Sequence, residues 1–326
     1  MRIAVIGSCG HSGAALDGIK SSKGRDVLCA VSGAPEDNTA RLKERAAELN
    51  PSAAYYPDYC EMLDKEKPDI CVVDNVFYKH KDAAVASLSR GIPTYCEKPL
   101  AMDLQGLGQV EAAAGKTGVL LWAMQTARYD PWFYTAYQLI KQGAIGDVLM
   151  LNAQKSYRLG NRAAHYRKRK TYGGTIPWVA IHSLDLIRFL SGVEPNTVYA
   201  FHSTRCNCGH GDLESYGQIL MKLDNGIAAS VNFDFLRPES APTHGDDRVR
   251  VLGSEGVLEV RGNRVYLIDK NGESEPPLLR PKGIWDAFLA AVSGQPGLLT
   301  TADSIASTRA ALTARESADK DCLLRL

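Results

Sequence analysis

The stretch VIGSCGHSG, residues 5–13, follows an apolar run at the start of the chain and contains Gly7, Gly10 and Gly13. The dinucleotide-binding fingerprint has the spacing G-x-G-x-x-G where a strand passes into a helix, and here one more residue separates the first two glycines. A helix N-terminus offers unpaired N–H groups and a partial positive charge, and the longer turn removes neither. Taken alone, the stretch is either a pyrophosphate-binding loop or a glycine-rich turn, and its place after the first strand of the βαβ pattern described next favours the loop.

Strand and helix signals alternate over the first 120 residues. Apolar, β-prone runs occur at residues 2–7, 26–32, 52–56, 69–76 and 93–97. Helical patterns lie between them at residues 12–20, 37–48, 58–65 and 81–90. This alternation is typical of stacked βαβ units, and short apolar strands are typical of a parallel sheet covered on both faces. We predict an α/β, doubly wound Rossmann domain over residues 1–121.

The pattern changes after residue 121. A helix is predicted at 131–142, a second helix runs through IPWVAIHSLDLIRFLSG, and strand-length segments separated by turns fill residues 195–270. Turns such as DNG and RGN between such segments favour antiparallel pairing. We predict a second domain, residues 122–326, of α+β type with a large open antiparallel sheet.

Composition excludes several classes of function. The 326 residues carry a formal net charge of +1, so no overall field attracts nucleic acid or a membrane surface. No apolar run reaches the ~20 residues of a membrane span, and no signal peptide is recognisable, so a cytoplasmic location is expected. The segment Cys206-x-Cys208-x-His210 is a poor match to zinc-site spacing, and we predict no metal.

The end of the second predicted strand bears on cofactor choice. An Asp or Glu there would bind the ribose 2′-hydroxyl of NAD, whereas this chain has Ser32. A small hydroxyl leaves room for a 2′-phosphate that Arg41 or Lys43 neutralises. Glu36 and Asp37 argue for NAD. The balance favours NADP over NAD.

The motif YCEKPLA, residues 95–101, lies at the end of the fifth predicted strand, where ligands of parallel sheets bind. Pro99 biases Lys98 toward an extended conformation, which aims its ammonium into the crevice. The alternative is a surface Glu–Lys pair before a loop proline.

A third motif, residues 173–190, reads GGTIPWVAIHSLDLIRFL. Pro177 suits the first turn of a helix, and the spacing places Trp178, His182 and Asp185 on one helix face. A lone helical histidine is usually structural, but the neighbouring carboxylate, aromatic ring and glycine pair favour a site.

These motifs carry a resemblance. In order along the chain, GSCGHSG, CEKPLA, ARYDP, GAIGDV, GGTIPWVAIHSLD and ESA resemble the family of glucose–fructose oxidoreductase, inositol dehydrogenase and the rhizopine-catabolism proteins. The similarity runs along nearly the whole chain. It implies a Rossmann domain with an open-sheet domain, bound NAD or NADP, and oxidation or reduction of a carbinol carbon of a sugar, inositol, related polyol or sugar acid. It also implies a homodimer or homotetramer formed through the sheet.

The resemblance assigns roles to individual residues. Lys98 and His182 are the implied catalytic residues: the histidine moves the hydroxyl proton, and the lysine stabilises the oxygen that becomes negative. The expected substrate contacts are Lys98, Tyr172, Trp178 and Asp185. The expected cofactor contacts are Gly7, Ser8, Cys9, Gly10, His11, Ser12, Gly13, Ser32, Gly33, Asn75, His80, Glu97 and Arg128.

The chain departs from the family pattern at Trp178, where relatives usually have an aspartate, and this residue offers a stacking face to a sugar ring. A cofactor-loaded sensor or regulator, and a hydrolase or lyase that uses NAD transiently, are therefore alternatives. The run YRKRK, residues 166–170, is either a solvated loop or a lid that recruits an anionic substrate. His244 and Asp246 are further candidates for substrate contact.

Overall fold

The computed structural model describes residues 1–33, 37 and 39–326. The chain divides into unit 1, Met1–Gln125 with Lys282–Ala306, and unit 2, Thr126–Pro281 with Ser307–Leu326. The sequence predicted a single change of domain at residue 121. The structure differs because a later segment returns to unit 1 and packs there.

Unit 1 is built on a six-stranded parallel sheet in the order β3-β2-β1-β4-β5-β6. Its strands are β1 Arg2–Ile6, β2 Val27–Ser32, β3 Ala54–Tyr56, β4 Ile70–Val73, β5 Thr94–Cys96 and β6 Leu121–Ala123. Most of their side chains are buried, because helices cover both faces of such a sheet. This confirms the doubly wound fold, and the strand order reverses between β1 and β4, where ligands of such sheets bind.

The helices of unit 1 alternate with these strands. They are α1 Gly13–Ser21, α2 Thr39–Leu49, α3 Tyr59–Glu66, α4 His80–Leu88 and α5 Leu104–Thr117. The sequence predicted five strands, and the structure adds α5 and β6. The three-residue β6 is too short to give a periodic signal of its own.

The returning segment contains helix α9, Ile284–Val292, and the start of α10, Thr301–Lys320. Aromatic contacts hold α9 in unit 1: the Trp285 ring lies 5.6 Å from that of Tyr95, and the Phe288 ring 5.6 Å from that of Trp122. These large buried rings supply much of the apolar area that stabilises the unit.

Unit 2 is built on a nine-stranded sheet in the order β14-β13-β12-β11-β7-β10-β9-β8-β15. Its strands are β7 Val148–Tyr157, β8 Pro195–Ser203, β9 Tyr216–Leu223, β10 Ala228–Asp234, β11 Gly245–Gly253, β12 Val257–Arg261, β13 Arg264–Asp269, β14 Gly272–Ser274 and β15 Leu324–Arg325. The sheet is mixed, because β7 and β10 pair in parallel while the other neighbours are antiparallel. The large sheet of the second domain is confirmed, and the one departure from the predicted antiparallel pairing is the parallel pair of β7 with β10, because β7 was not recognised in the sequence.

The helices of unit 2 lie against one face of this sheet. They are α6 Pro131–Lys141, the short α7 Arg169–Tyr172, α8 Ile181–Ser191 and the end of α10. The other face exposes apolar side chains, among them Tyr199, Phe201 and Leu220. None of the described helices combines the length and the apolar character needed to cross a membrane.

Gly18, in α1, should resist replacement. A Cβ at this position would lie 2.0 Å from Cδ1 of Trp285, so Gly18→Ala forces α1 and α9 apart. We expect the substitution to lower the free energy of unfolding by about 1–3 kcal/mol in urea denaturation, although alanine is the better helix former.

Gly108, in the middle of α5, is the matched control, because no described atom lies within 4 Å of a Cβ built there. We expect Gly108→Ala to raise the free energy of unfolding by about 0.5–1 kcal/mol. Equal effects of the two substitutions would contradict the packing of α9 on α1.

Candidate functional site

The glycine loop, residues 7–12, joins β1 to α1 at the end of the unit 1 sheet. Gly7 has a φ of +85°, and a Cβ there would lie 2.2 Å from Cα of Asn75. Its N–H donates to the Ser32 carbonyl at 2.8 Å, so the chain turns sharply beside β2 and β4. Glycine is the residue that this turn accepts.

The other two glycines have different surroundings. A Cβ on Gly10 would lie 2.3 Å from Oε2 of Glu97 and 2.6 Å from Oδ1 of Asp74. Gly10 therefore lets two carboxylates approach the loop from below. Gly13 begins α1, and no described atom lies within 4 Å of a Cβ built there, which leaves room in front of the helix.

The Glu97 carboxylate fastens the glycine loop to the end of β5. Its Oε2 accepts the His11 backbone N–H at 2.7 Å and lies 2.6 Å from His11 Nδ1, while Oε1 accepts the Lys98 backbone N–H at 2.8 Å. Glu97 is fully buried. The structure thus places this predicted cofactor contact beneath the loop, in a bridging position.

The Lys98 side chain is buried as well, with 1% of its surface exposed. Its Nζ lies 4.0 Å from Oε1 of Glu97. The ammonium therefore stays close to the end of β5, and Lys98 does not form the exposed surface pair that the sequence left open.

Several buried polar atoms around the loop have no hydrogen-bond partner among the residues the structure describes. They are Oγ of Ser8, Oδ1 of Asp74, Oδ1 of Asn75, and both amide atoms of Gln125. Buried polar groups are normally paired, so these atoms mark a place where a polar ligand fits. Gln125 was missed by the sequence analysis, although it follows directly on β6.

Other predicted cofactor residues of unit 1 form hydrogen bonds within the unit. Cys9 Sγ donates to Oδ1 of Asp37 at 3.0 Å, and Ser12 precedes α1 with its N–H on Asp74 Oδ2 at 3.3 Å. Both ring nitrogens of His80 contact backbone carbonyls, those of Pro99 at 2.7 Å and Asn75 at 2.8 Å. Glu36, which entered the cofactor argument, lies outside the described residues.

A π-helical turn, Ile176–Ala180, precedes α8 in unit 2. The Ile181 N–H donates to the Ile176 carbonyl, five residues back, instead of the usual four. Trp178 lies in this turn, four residues before His182 in the following α-helix. The segment was expected to be one regular helix, and the inserted residue makes that expectation wrong.

Asp185 anchors α8 and is fully buried. The Arg128 guanidinium donates two hydrogen bonds of 2.8 and 2.7 Å to the Asp185 carboxylate, and the Ser307 hydroxyl donates a third at 2.6 Å. Arg128, predicted to contact the cofactor, is thus engaged within unit 2. The pair fixes the turn of α8 that carries His182, itself 3% exposed.

The segment before the π-helical turn is tied to buried Glu214. Thr175 donates its N–H to Glu214 Oε2 at 2.9 Å and its hydroxyl to the Glu214 carbonyl at 2.6 Å. The Tyr172 hydroxyl donates to Thr175 Oγ1 at 3.2 Å, and its ring is buried. Tyr172, predicted to bind substrate, therefore supports this segment from within.

Other predicted features have structural partners. Arg169, in the basic run, pairs with Glu214 and Asp319, so this part of the run is not a free lid. Asp246 pairs with Arg237 and Arg248. The part of the chain that the structure describes holds no group of three metal-ligating side chains.

Comparisons with known proteins agree with the fold of both units. Residues 1–125 match the model of an oxidoreductase family with an NAD-binding Rossmann fold, and residues 133–259 match that of the GFO/IDH/MocA C-terminal domain. The chain belongs to the GFO/IDH/MocA oxidoreductase family.

Individual members of the family show how far the likeness extends. A structure of a Thermotoga maritima protein, named only as a candidate oxidoreductase, is 40% identical, covers 100% of both chains and has a TM-score of 0.95. Inositol 2-dehydrogenase 2 of Saccharopolyspora erythraea is 29% identical over 71% of this chain, and the match spans 66% of that protein, just under two thirds of its length. A myo-inositol dehydrogenase of Streptomyces leeuwenhoekii is 27% identical over 98% of this chain and 94% of its own.

The glycine loop of this GFO/IDH/MocA chain fits the dinucleotide that its family binds. Space in front of Gly13 and the positive end of α1 suit a pyrophosphate, since α1 has no acidic residue in its first turn. The unpartnered atoms of Ser8 and Asn75 supply polar contacts at the same end of the sheet. The family's NAD-binding fold and the residues present therefore agree.

The carboxylates of Asp74 and Glu97 share one negative charge beneath the loop. Burial and the Glu97 charge raise the pKa of Asp74 to about 8. Burial alone raises the pKa of Glu97, but His11, Lys98 and His80 outweigh it and bring that pKa to about 2. At neutral pH Asp74 is protonated and Glu97 ionised.

Replacing Asp74 should change the pH dependence of stability. Between its ordinary pKa of 3.8 and about 8, the unfolded chain has lost the proton that folded Asp74 keeps, so rising pH favours unfolding. Asn cannot titrate. We expect the unfolding free energy of Asp74→Asn, relative to wild type, to rise by up to about 1.4 kcal/mol per pH unit in urea denaturation from pH ~5 to ~8.

Asp17→Asn, at an exposed aspartate of α1, is the matched control, and we expect its difference from wild type to stay constant over this range. A constant difference for Asp74→Asn as well would contradict the protonated state of Asp74.

Proposed function

We propose that this chain is a dehydrogenase that transfers hydride between NAD(P) and a carbinol carbon of a sugar, inositol, related polyol or sugar acid. One observation carries the proposal: Lys98 and His182 are both buried, each at an element end that neighbouring carboxylates hold in place. The names of relatives that act on inositol support the substrate class.

Oxidation of a carbinol requires loss of a proton from oxygen as hydride leaves carbon. His182 is the proposed base, because an imidazole titrates near neutral pH, and general catalysis of this kind contributes ~10²–10⁴ in rate. Lys98 donates a hydrogen bond to the oxygen as negative charge develops on it. A bound nicotinamide supplies the hydride acceptor.

Asp185 and Arg128 act through His182 and are positioning residues. Their two hydrogen bonds hold α8 one turn after the histidine, and Ser307 completes the shell of donors around the carboxylate. Asp185 has no oxygen left unengaged by these donors. We propose that it orients the imidazole-bearing turn and that substrate contact falls to Trp178.

NAD is proposed as the preferred form of the cofactor, which reverses the preference drawn from sequence. The Asp37 carboxylate lies at the glycine loop through its bond to Cys9, where it repels a 2′-phosphate. Ser32 is 1% exposed, and Lys43 Nζ lies over the Tyr55 ring at 3.7 Å. A negative charge at Asp37, with Ser32 buried and Lys43 over a tyrosine ring, supports recognition of a 2′-hydroxyl and not of a 2′-phosphate.

Self-association through the open face of the unit 2 sheet is also proposed. Leu220 is 59% exposed and stands directly opposite Tyr199 on the neighbouring strand, with Phe201 two residues further along. Exposed apolar side chains that adjoin on a flat sheet favour a protein interface over solvent. The proposed partner is a second copy of the chain.

Lys98→Met and His182→Ala test the catalytic assignment. We expect each to lower kcat by at least 100-fold with a polyol that the wild type oxidises, while cofactor Kd changes less than threefold. Inositols, aldoses and sugar acids are each tested as substrates, and the reduction of NAD or NADP is followed by absorbance. We expect kcat/KM to be higher with NAD than with NADP. Lys116→Met, on the exposed side of α5, is the control.

Three results would contradict the assignment. Near-normal rates in both variants exclude these residues from catalysis. Cleavage or dehydration of substrate without net cofactor reduction favours a hydrolase or lyase, and tight cofactor binding with no turnover favours a sensor.

Leu220→Glu tests the proposed interface. A charge in the middle of an apolar contact is costly, so we expect the mass measured by light scattering to fall from an oligomer to a monomer. Lys222→Glu, on the same face of β9 beyond the apolar patch, should leave the mass unchanged. A wild type that is monomeric at micromolar concentration overturns the proposal.

A further inference from the structure

The helix-facing side of the unit 2 sheet carries a group of basic and aromatic side chains at the end of β7. Lys155 follows the parity of Leu151 and Ala153, which puts it on the buried face of β7. We call this group the basic aromatic cluster. Its members are Lys155, Tyr157, Arg158, Arg162, Tyr166 and Phe235.

The Tyr157 ring lies at the centre of the basic aromatic cluster. It stacks on Phe235 at 6.3 Å and on His244 at 5.1 Å, and Lys155 Nζ lies 4.9 Å from its centroid. The rings form an aromatic surface, which we call the aromatic floor, and cations lie over its faces. The attraction between a cation and a ring face is strongest where water is excluded.

The cluster is continuous with the turn that precedes His182. The Arg162 guanidinium lies 4.7 Å from the Phe235 centroid and 5.6 Å from that of Tyr166. The Tyr166 ring in turn meets Trp178 edge-on at 6.3 Å. A molecule that contacts Trp178 therefore has the basic aromatic cluster as its neighbour.

Positive charge in the cluster exceeds the negative charge near it. Lys155 is paired with Asp247. The charges of these two groups also act on the nearby carboxyl of Asp130. Arg237, two residues after Phe235, is paired with Asp246. Asp247 and Asp246 are thus engaged by cations other than Arg158 and Arg162.

Arg158 and Arg162 differ from these paired cations. Arg158 donates to the Ala241 carbonyl and Arg162 to the Arg158 carbonyl, and neither has a carboxylate partner among the described residues. The buried Nε of each lacks an acceptor in the same described set. Both guanidinium charges also help to lower the pKa of His244, after the larger effect of its burial.

We propose that Arg158 and Arg162 bind a carboxylate of the substrate, so that the natural substrate is a sugar acid whose ring packs on the aromatic floor. This inference rests on the proposed dehydrogenase function and names its substrate class. The planar guanidinium matches a carboxylate with two parallel hydrogen bonds. A phosphate would bring a second negative charge close to Asp247 and Asp130, so the local balance of charge favours the carboxylate.

Matched pairs of sugars test the proposal directly on the cofactor-loaded full chain. D-glucuronate and D-glucose share a ring and differ in the carboxylate, as do D-galacturonate and D-galactose, and D-glucose 6-phosphate represents the phosphate. We expect at least one acid to bind roughly tenfold to hundredfold more tightly than its neutral partner. Calorimetry with His182→Ala measures binding without turnover, and kcat/KM of the wild type measures catalysis.

Arg158→Gln and Arg162→Gln should each lower the ratio of acid to neutral affinity by roughly tenfold, whereas Arg162→Lys keeps part of it. A residue that only packed on Phe235 would change both affinities together and leave the ratio unchanged. Arg264→Gln, at an exposed arginine of β13, should leave both unchanged. Thermal unfolding identifies a variant that fails to fold. In that case the ratio of acid to neutral affinity is measured with Arg162→Lys instead.

The two proposals fail in different ways. Oxidation of neutral sugars with no acid preference overturns the carboxylate site and keeps the dehydrogenase. Acid binding that depends on the arginines, with no cofactor reduction by the wild type, keeps the site and overturns the dehydrogenase. An acid-to-neutral ratio near one, or a preference for the phosphate, overturns the proposed sugar acid.

Discussion

The hydrogen bonds from His11 to the buried carboxylate of Glu97 hold the glycine loop in unit 1 against the end of β5. An ionised carboxylate in a buried place is costly unless donors surround it, so the loop has to bend toward Glu97. Gly10 must then lack a side chain, because the carboxylates of Glu97 and Asp74 fill the space beneath it. The same constraint makes Asp74 take up a proton and sets Lys98 directly beside the loop.

Unit 2 uses a buried carboxylate in the same way. Asp185 is held by Arg128 and Ser307, and this contact fixes α8 as Glu97 fixes the loop. Both residues were predicted to contact ligands. In the structure the Glu97 oxygens accept the backbone N–H groups of His11 and Lys98, whereas the Asp185 oxygens accept hydrogen bonds from the side chains of Arg128 and Ser307. The residues that we propose for the chemistry, Lys98 and His182, lie next to these anchored residues: Lys98 follows Glu97 directly, and His182 precedes Asp185 by three positions.

The sequence predicted five strands of the Rossmann domain and the four helices between them, because each strand is a short apolar run between turn signals. It did not predict β7, where Lys155 on the buried face breaks the apolar pattern, and so it missed the parallel pairing with β10. The return of α9 depends on a fit between Trp285 and Gly18 that no local pattern records. The pairs Glu97–His11 and Arg128–Asp185 likewise join residues 86 and 57 positions apart.

The π-helical turn that contains Trp178 could not be predicted from spacing, since the sequence pattern assumed one regular α-helix over this segment. The consequence concerns charge. The family resemblance led us to expect an aspartate at position 178, whereas the uncharged ring found there contacts Tyr166, whose own ring lies against the guanidinium of Arg162. An uncharged ring instead of a carboxylate, beside guanidinium groups that donate to backbone carbonyls and not to carboxylates, makes the local electrostatic potential more positive. A neutral polyol gains nothing from a more positive potential, whereas an anionic substrate does, and this is the physical reason for which we propose that Trp178 serves specificity for a sugar acid.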